Sequence, residues 1–99
     1  MYEVRYTQTA MQDLNDIADY IALDNLERAI LFITELENNV NDVLSVFPHG
    51  GYLHNKTKGI RMKSHKCYTA FYHVKNDDVV EVLHVVNLEK PLSVRGIGF

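Results

Sequence analysis

The segment Cys67–Asn87, CYTAFYHVKNDDVVEVLHVVN, carries the features that decide the fold. Its two arms are rich in β-branched and aromatic residues and flank a polar triplet, Asn76-Asp77-Asp78, which is typical of a turn. The arms, Cys67–Lys75 and Val79–Asn87, are therefore predicted to pair as an antiparallel β-hairpin. A further strand of the same composition is predicted just upstream, over Gly59–Ser64.

Two amphipathic helices are predicted before these strands. The first covers about residues 8–23, where apolar residues recur at helical spacing and Thr7 or Thr9 offers an N-cap. The second is longer and starts at Asp24 and Glu27, which have the spacing of a capping box. Pro48 and the two glycines that follow it end this helix. Because almost no loop separates the helices, they are expected to form an antiparallel hairpin.

A short strand, Tyr2–Tyr6, opens the chain and completes the order β-α-α-β-β-β. This order predicts an α+β fold in which the helical hairpin packs on one face of an antiparallel sheet. The chain has 99 residues, which fits one domain over residues 1–99. The glycine-rich end, residues 93–99, is expected to be a flexible tail.

Composition and charge exclude several classes of protein. The single cysteine, Cys67, has no internal disulfide partner, and no apolar run approaches the roughly 20 residues that span a bilayer. We therefore expect a cytoplasmic protein without a membrane partner. The net charge is −3, but residues 1–50 hold nine acids and two bases, whereas Lys56–Lys66 holds five bases. An acidic chain of this kind is not expected to bind specific DNA directly on its own.

Alternation along the predicted strands assigns two faces to the sheet. A three-residue loop at Asn76–Asp78 places His73 opposite Glu81, and a similar loop at Ser64–Lys66 places Arg61 opposite Thr69. The face predicted to point away from the helices holds Arg61, Lys63, Thr69, Phe71, His73, Glu81, Leu83 and Val85. The face predicted to pack under the helices holds Tyr68, Ala70, Tyr72, Val74, Val80, Val82, His84 and Val86.

Three segments give the chain a resemblance to a known family. They are Tyr2–Ile21 (YEVRYTQTAMQDLNDIADYI), Phe47-Pro48-His49-Gly50-Gly51, and Gly59-Ile60-Arg61 followed by Tyr68, Phe71 and Tyr72. In order and spacing they resemble the ParE/RelE superfamily of toxins from bacterial type II toxin–antitoxin, or plasmid stabilisation, systems. The resemblance extends over residues 2–86, and its βααβββ fold agrees with the one predicted from periodicity.

The resemblance implies growth inhibition and a cognate antitoxin that binds and neutralises the toxin. ParE-like members act on DNA gyrase, whereas RelE-like members enter the ribosome and cut mRNA as endoribonucleases. Many members end the last strand with a His followed by Arg residues, where this chain has Asn87-Leu88-Glu89-Lys90-Pro91, so that a His is missing and Glu89 stands where a cation is expected. RNA cleavage needs a proton acceptor and cations at the phosphate. The departure therefore favours gyrase, with the ribosome and mRNA as the alternative target and a degenerate, non-toxic binding module as a second alternative.

The candidate site residues are chosen from the family resemblance together with the sheet face that is predicted to point away from the helices. The residues predicted to bind the target or partner are Lys58, Arg61, Lys63, Phe71, Leu83 and Val85. If the chain is a nuclease, Arg61 and His73 are the catalytic candidates, with His73 as the base. The structural alternatives are a solvated Arg61 bonded to Glu81 or Glu89 and a plain cross-strand pair between His73 and Glu81.

The remaining polar residues are expected to be structural. His84, on the predicted apolar face, is expected to be a hydrogen-bonded core residue. Asp13, Asp16 and Asp19 are expected to form a solvated helix face. The spacing of the histidines and Cys67 matches no metal motif, so neither a metal nor another cofactor is predicted.

Overall fold

The structure, a computed structural model, describes residues 1–87. The elements in chain order are β1 (Glu3–Tyr6), α1 (Gln8–Ala22), α2 (Leu26–Leu44), a 3-10 turn (Pro48–Gly50), β2 (Tyr52–Asn55), β3 (Ile60–His65), β4 (Tyr68–Val74) and β5 (Val79–Asn87). The predicted tail, residues 93–99, and Glu89 lie outside the described residues.

The α+β class is confirmed, since two helices pack on one face of a five-stranded sheet in the order β1-β5-β4-β3-β2. The sheet is mixed rather than wholly antiparallel, because β1 joins the edge beside β5 in the parallel direction. Strand β2 was not predicted. Three of its four residues are exposed, so it has no alternation of apolar and polar residues by which to recognise it.

The helices begin where side chains bind free backbone N–H groups. Thr7 caps α1 by accepting a hydrogen bond from the Ala10 N–H at 3.1 Å. Asn25, rather than the predicted Asp24, caps α2 by accepting from the Arg28 N–H at 3.0 Å. Neither helix is long and apolar enough to cross a membrane, as far as residues 1–87 are concerned.

The main core lies between the helical hairpin and the sheet surface that it covers, which we call the helix face. Its buried side chains are Ala10, Leu14, Ile17, Leu36, Val40, Leu44, Tyr68, Ala70, Tyr72, Val80, Val82 and Val85. A second, smaller cluster lies on the opposite surface, the open face, and consists of Ile60, Phe71 and Val86 with Met62 and Leu83 against them.

The β4–β5 pairing follows the prediction near the turn, where His73 lies opposite Glu81. A shift in register between Phe71 and Tyr72 then places Phe71 opposite His84 instead of Leu83. This β-bulge reverses the predicted alternation in the rest of β5. Val85 consequently packs in the core under the helices, and Val86 joins the open-face cluster.

The predicted β3–β4 pairing is wrong. His65 pairs with Tyr68 across a two-residue turn, Lys66-Cys67, in which Lys66 adopts a positive φ of 55°. Arg61 therefore lies opposite Tyr72 and not opposite Thr69. An odd shift in register moves every side chain of a strand to the other face. Arg61 and Lys63 consequently lie on the helix face.

Candidate functional site

Arg61 is the candidate that both the family resemblance and the predicted sheet face select. Its side chain points toward the turn between α2 and β2 and not into solvent on the open face. Its Nη1 donates hydrogen bonds to the carbonyl oxygens of His49 at 3.0 Å and Gly51 at 2.9 Å. Both acceptors belong to the 3-10 turn that follows α2 or to the residue after it. The prediction that Arg61 leaves the sheet away from the helices is therefore wrong, and Arg61 stabilises the connection between α2 and β2.

Tyr72 binds the same turn from the neighbouring strand. Its buried hydroxyl donates to the Pro48 carbonyl oxygen at 2.8 Å, and burial raises the pKa of Tyr72. Gly51 makes this approach possible, because a Cβ there would collide with the Tyr72 hydroxyl and the Met62 carbonyl oxygen. We call Arg61, Tyr72 and Gly51 the turn clamp. The segments that carry the family resemblance contain all three residues but do not indicate that these residues hold one turn.

Three other candidates are not on an exposed surface of the kind predicted. Lys63 lies on the helix face, and its Nζ donates to the carbonyl oxygen of the adjacent Ser64 at 2.8 Å. Val85 is 1% exposed and lies under the helices. Phe71 keeps the predicted open face but is also 1% exposed, with the His54 ring packed edge-on against it at 4.8 Å between centroids. The predicted uncovered patch of Phe71, Leu83 and Val85 does not form.

Lys58, His73 and Leu83 do come together, at a groove of about 410 Å³ on the open face. The groove, called here the open-face groove, is lined by Thr7, Thr9, Lys58, Ile60, His73, Leu83 and His84. The Nε2 atom of His73 lies 2.9 Å from the Glu81 Oε1, which confirms the cross-strand pair as the arrangement of His73. This pairing holds the imidazole of His73, which is also part of the groove lining.

His84 is hydrogen-bonded as expected, but it lines the open-face groove instead of packing in the core. The prediction that Asp13 is solvated is wrong. The Asp13 carboxylate accepts a hydrogen bond from the Val85 N–H at 3.0 Å and lies 3.2 Å from the His84 Nδ1. Strand β1 pairs with β5 only as far as Val82, so within residues 1–87 the next part of this edge of β5 has no neighbouring strand. Asp13 supplies an acceptor there from helix α1. No spacing in the sequence indicates this contact.

The arrangement separates the two residues that a nuclease would have to bring together. Arg61 lies on the helix face and donates to backbone carbonyls, whereas His73 lies on the open face beside Glu81. A base and a cation can act on one phosphate only if both reach it. Among residues 1–87 there is also no group of three His, Cys, Asp or Glu side chains that could hold a metal ion.

Comparison of the sequence with family profiles gives a match over residues 4–89 to the ParE toxin of the type II toxin–antitoxin system parDE. This chain belongs to the ParE toxin family. The match covers every described element except the first residue of β1, and it includes the turn clamp and the open-face groove. The ParE-family chain is thus a toxin of a type II toxin–antitoxin system. No curated protein sequence matches it.

Solved structures support the fold of this ParE-family chain. One similar structure is from the chromosomal ParDE toxin–antitoxin system of P. aeruginosa, with 22% identity, a TM-score of 0.74, and coverage of 88% of this chain and 96% of that one. Another is from the RelBE2 toxin–antitoxin complex of Mycobacterium tuberculosis, with 21% identity, a TM-score of 0.64, and coverage of 87% and 90%. At these identities the likeness establishes the shared fold.

Proposed function

We propose that this ParE-family toxin arrests growth by acting on DNA gyrase in the cytoplasm, that it thereby stabilises the plasmid or replicon that encodes it, and that a cognate antitoxin neutralises it. The observation that supports gyrase over mRNA is the separation of Arg61 from His73 on opposite faces of the sheet. The end of the last strand supports the same choice. Asn87 and Glu89 stand there in place of the His and the cation that the family pattern leads one to expect.

The experiment that tests this proposal uses the purified chain with two possible targets. With gyrase and relaxed plasmid, we expect loss of supercoiling or accumulation of cleaved plasmid. In programmed ribosomes, we expect mRNA to stay intact. Codon-dependent mRNA cuts with unaffected gyrase would overturn the proposal in favour of the endoribonuclease. Growth without arrest when the chain is induced in a host that lacks the antitoxin would favour the non-toxic binding module.

We further propose that the antitoxin covers the open-face groove. Leu83 is only partly buried there, and Lys58 is exposed beside it. An antitoxin segment with an apolar residue over Leu83 and a carboxylate at Lys58 would match this surface in shape and charge. The predicted contacts at Phe71, Val85, Arg61 and Lys63 are not part of this proposal, since the fold uses those side chains.

The antitoxin contact is tested by Leu83→Glu, which would place a carboxylate under the apolar antitoxin residue and beside the antitoxin carboxylate at Lys58. Binding should weaken by about 2–5 kcal/mol, because a charge is buried in an apolar contact and like charges repel. Leu53→Glu is the matched control, because Leu53 is 43% exposed and pairs with Arg61 on the other face of the sheet. Affinities for co-expressed, purified antitoxin should fall for the first variant and not for the second. Equal affinities for the two variants would mean that the antitoxin binds elsewhere.

A further inference from the structure

The end of the helical hairpin where α1 leads into α2 exposes an unusual amount of apolar surface. Five large side chains there are at least 60% exposed, and we call them the hairpin patch: Tyr20 at 62%, Leu23 at 88%, Leu26 at 66%, Ile30 at 60% and Leu31 at 65%. Single exposed apolar residues need no explanation, but five large ones within residues 20–31 are typical of a contact surface.

Two grooves flank this patch. One, of about 680 Å³, is lined by Tyr20 and Leu23 and extends to Lys66 and Cys67 in the β3–β4 turn. The other, of about 270 Å³, lies between the helices and is lined by Leu26 and Ile30. An apolar side chain from another protein therefore has concave sites on both sides of the helix connection.

Folding does not require large apolar groups at these positions. The side of the hairpin that packs on the sheet already holds buried residues, such as Leu14, Ile17 and Leu36. Leu26 and Ile30 are exposed residues of α2, where polar residues would serve the helix equally well. The apolar surface is therefore best explained by a contact outside the domain.

The charge around the patch restricts the kind of partner. Asp16, Asp19, Asp24 and Glu27 are all exposed, and none of them forms an ion pair within residues 1–87. Arg28 is the single base within residues 16–31, and Lys66, which also lines the larger groove, forms an ion pair with Glu35. A surface of this charge repels nucleic acid and anionic lipid and attracts a cationic protein surface.

We propose that the hairpin patch is the surface with which the toxin meets its target, and that the occupant is a cationic protein surface with apolar residues at its centre on a DNA-handling enzyme. The proposal rests on the proposed action on gyrase. Enzymes that hold DNA carry cationic surfaces that neutralise phosphates. The carboxylates around the hairpin patch are negatively charged, as DNA phosphates are. Toxin and DNA should therefore compete for such a cationic surface.

The test measures binding of the purified chain to purified gyrase at about 50 mM and 200 mM salt, with and without linear duplex DNA. The apolar variant is Leu26→Ser/Ile30→Ser, and its control is Met11→Ser/Val46→Ser, which changes two residues that are 55% and 54% exposed outside the patch. The charge variant is Asp19→Asn/Asp24→Asn. Its control is Asp77→Asn/Asp78→Asn, in the turn between β4 and β5.

We expect the apolar variant to lose about tenfold or more in affinity, as for central contact residues, and its control to change less than about twofold. The charge variant should lose several-fold at low salt and less at high salt, because salt screens exposed charges. Duplex DNA should lower the affinity of the unmodified chain. Thermal unfolding of all four variants should match that of the unmodified chain.

If the unmodified chain binds gyrase, and the apolar variant and the charge variant bind it as tightly as the unmodified chain does, the hairpin patch is not the target surface. The proposed function then stands. If the unmodified chain neither binds nor inhibits gyrase, the proposed function fails and this inference fails with it. If the patch variants keep gyrase binding but lose antitoxin binding, the patch belongs to the antitoxin and the inference is overturned. Should the double apolar variant unfold early, the single variants Leu26→Ser and Ile30→Ser replace it with the same criteria.

Discussion

Arg61 and Tyr72 lie directly opposite each other in the β3–β4 pairing, and both donate hydrogen bonds to the backbone of one turn. Arg61 binds the carbonyls of His49 and Gly51, and Tyr72 binds the carbonyl of Pro48. Together they fasten the chain that leaves α2 to the middle of the sheet. A residue that the sequence motif presents as functional thus acts first on the fold.

Arg61→Ala should lower the free energy of unfolding by about 1–3 kcal/mol, because it removes the donor to two carbonyls. Arg61→Lys should recover part of this loss, since an ammonium group cannot reproduce the planar geometry of the guanidinium. Lys63→Ala is the control, because Lys63 lies on the same strand and face but, within residues 1–87, its side chain hydrogen-bonds only to its neighbour Ser64. Denaturant unfolding measures all three. An Arg61→Ala variant that is as stable as the unmodified chain but no longer toxic would show that Arg61 acts on the target.

Tyr72→Phe should also destabilise the fold, by about 1–2 kcal/mol, because the Pro48 carbonyl loses its buried donor. The double variant Arg61→Ala/Tyr72→Phe should cost less than the sum of the two single changes by about 0.5 kcal/mol or more, since both residues hold one turn. A double-mutant cycle from denaturant unfolding measures this coupling. Strict additivity would mean that the two contacts act independently.

Asp13→Ala should destabilise the chain by about 1–3 kcal/mol, because the Val85 N–H on the edge of β5 loses its acceptor. Asp16→Ala, three residues along the same helix, changes an exposed carboxylate whose one hydrogen bond within the described chain comes from Gln12, and it should have an effect below about 0.5 kcal/mol. Hydrogen exchange at the Val85 amide should accelerate in the first variant alone. Equal melting temperatures for the two variants would contradict the role assigned to Asp13.

The stability of the chain should fall in acid partly through Glu35. Hydrogen bonds from Lys66 first, and then from His65, hold the pKa of the Glu35 carboxyl below its ordinary value of 4.5. A carboxyl whose pKa is lowered by folding stabilises the folded state above the unfolded-state pKa, and this contribution is lost as the pH falls through the lower, folded-state pKa. Below about pH 4.5 the unmodified chain should therefore lose stability more steeply than Glu35→Gln.

The measurement for Glu35 is the melting temperature from pH 3 to pH 7, with Asp77→Asn as the control. Asp77 is exposed in the β4–β5 turn, and its carboxylate forms no hydrogen bond or ion pair within residues 1–87. In the Asp77→Asn variant, the melting temperature should fall with decreasing pH as steeply as in the unmodified chain. An unchanged slope in Glu35→Gln would mean that the contacts from His65 and Lys66 contribute nothing to stability in solution.

Local patterns in the sequence determined which segments become helices and strands. Helical spacing of apolar residues and a cap such as Thr7 act within one or two turns of chain, so the helices could be predicted with errors of only a few residues at their ends, as at Asn25, which caps α2 in place of Asp24. The Asn76-Asp77-Asp78 turn likewise fixed the pairing of His73 with Glu81, because a short loop dictates which residues lie opposite each other.

The tertiary structure alone decided which side chains share a surface. The two-residue Lys66-Cys67 turn and the bulge near Phe71 each change the register by an odd number of residues, and an odd change moves a side chain to the opposite face. Arg61 and Val85 were therefore placed on the wrong face. The contact of Asp13 with Val85 joins residues that are far apart in the chain, so no local pattern could encode it.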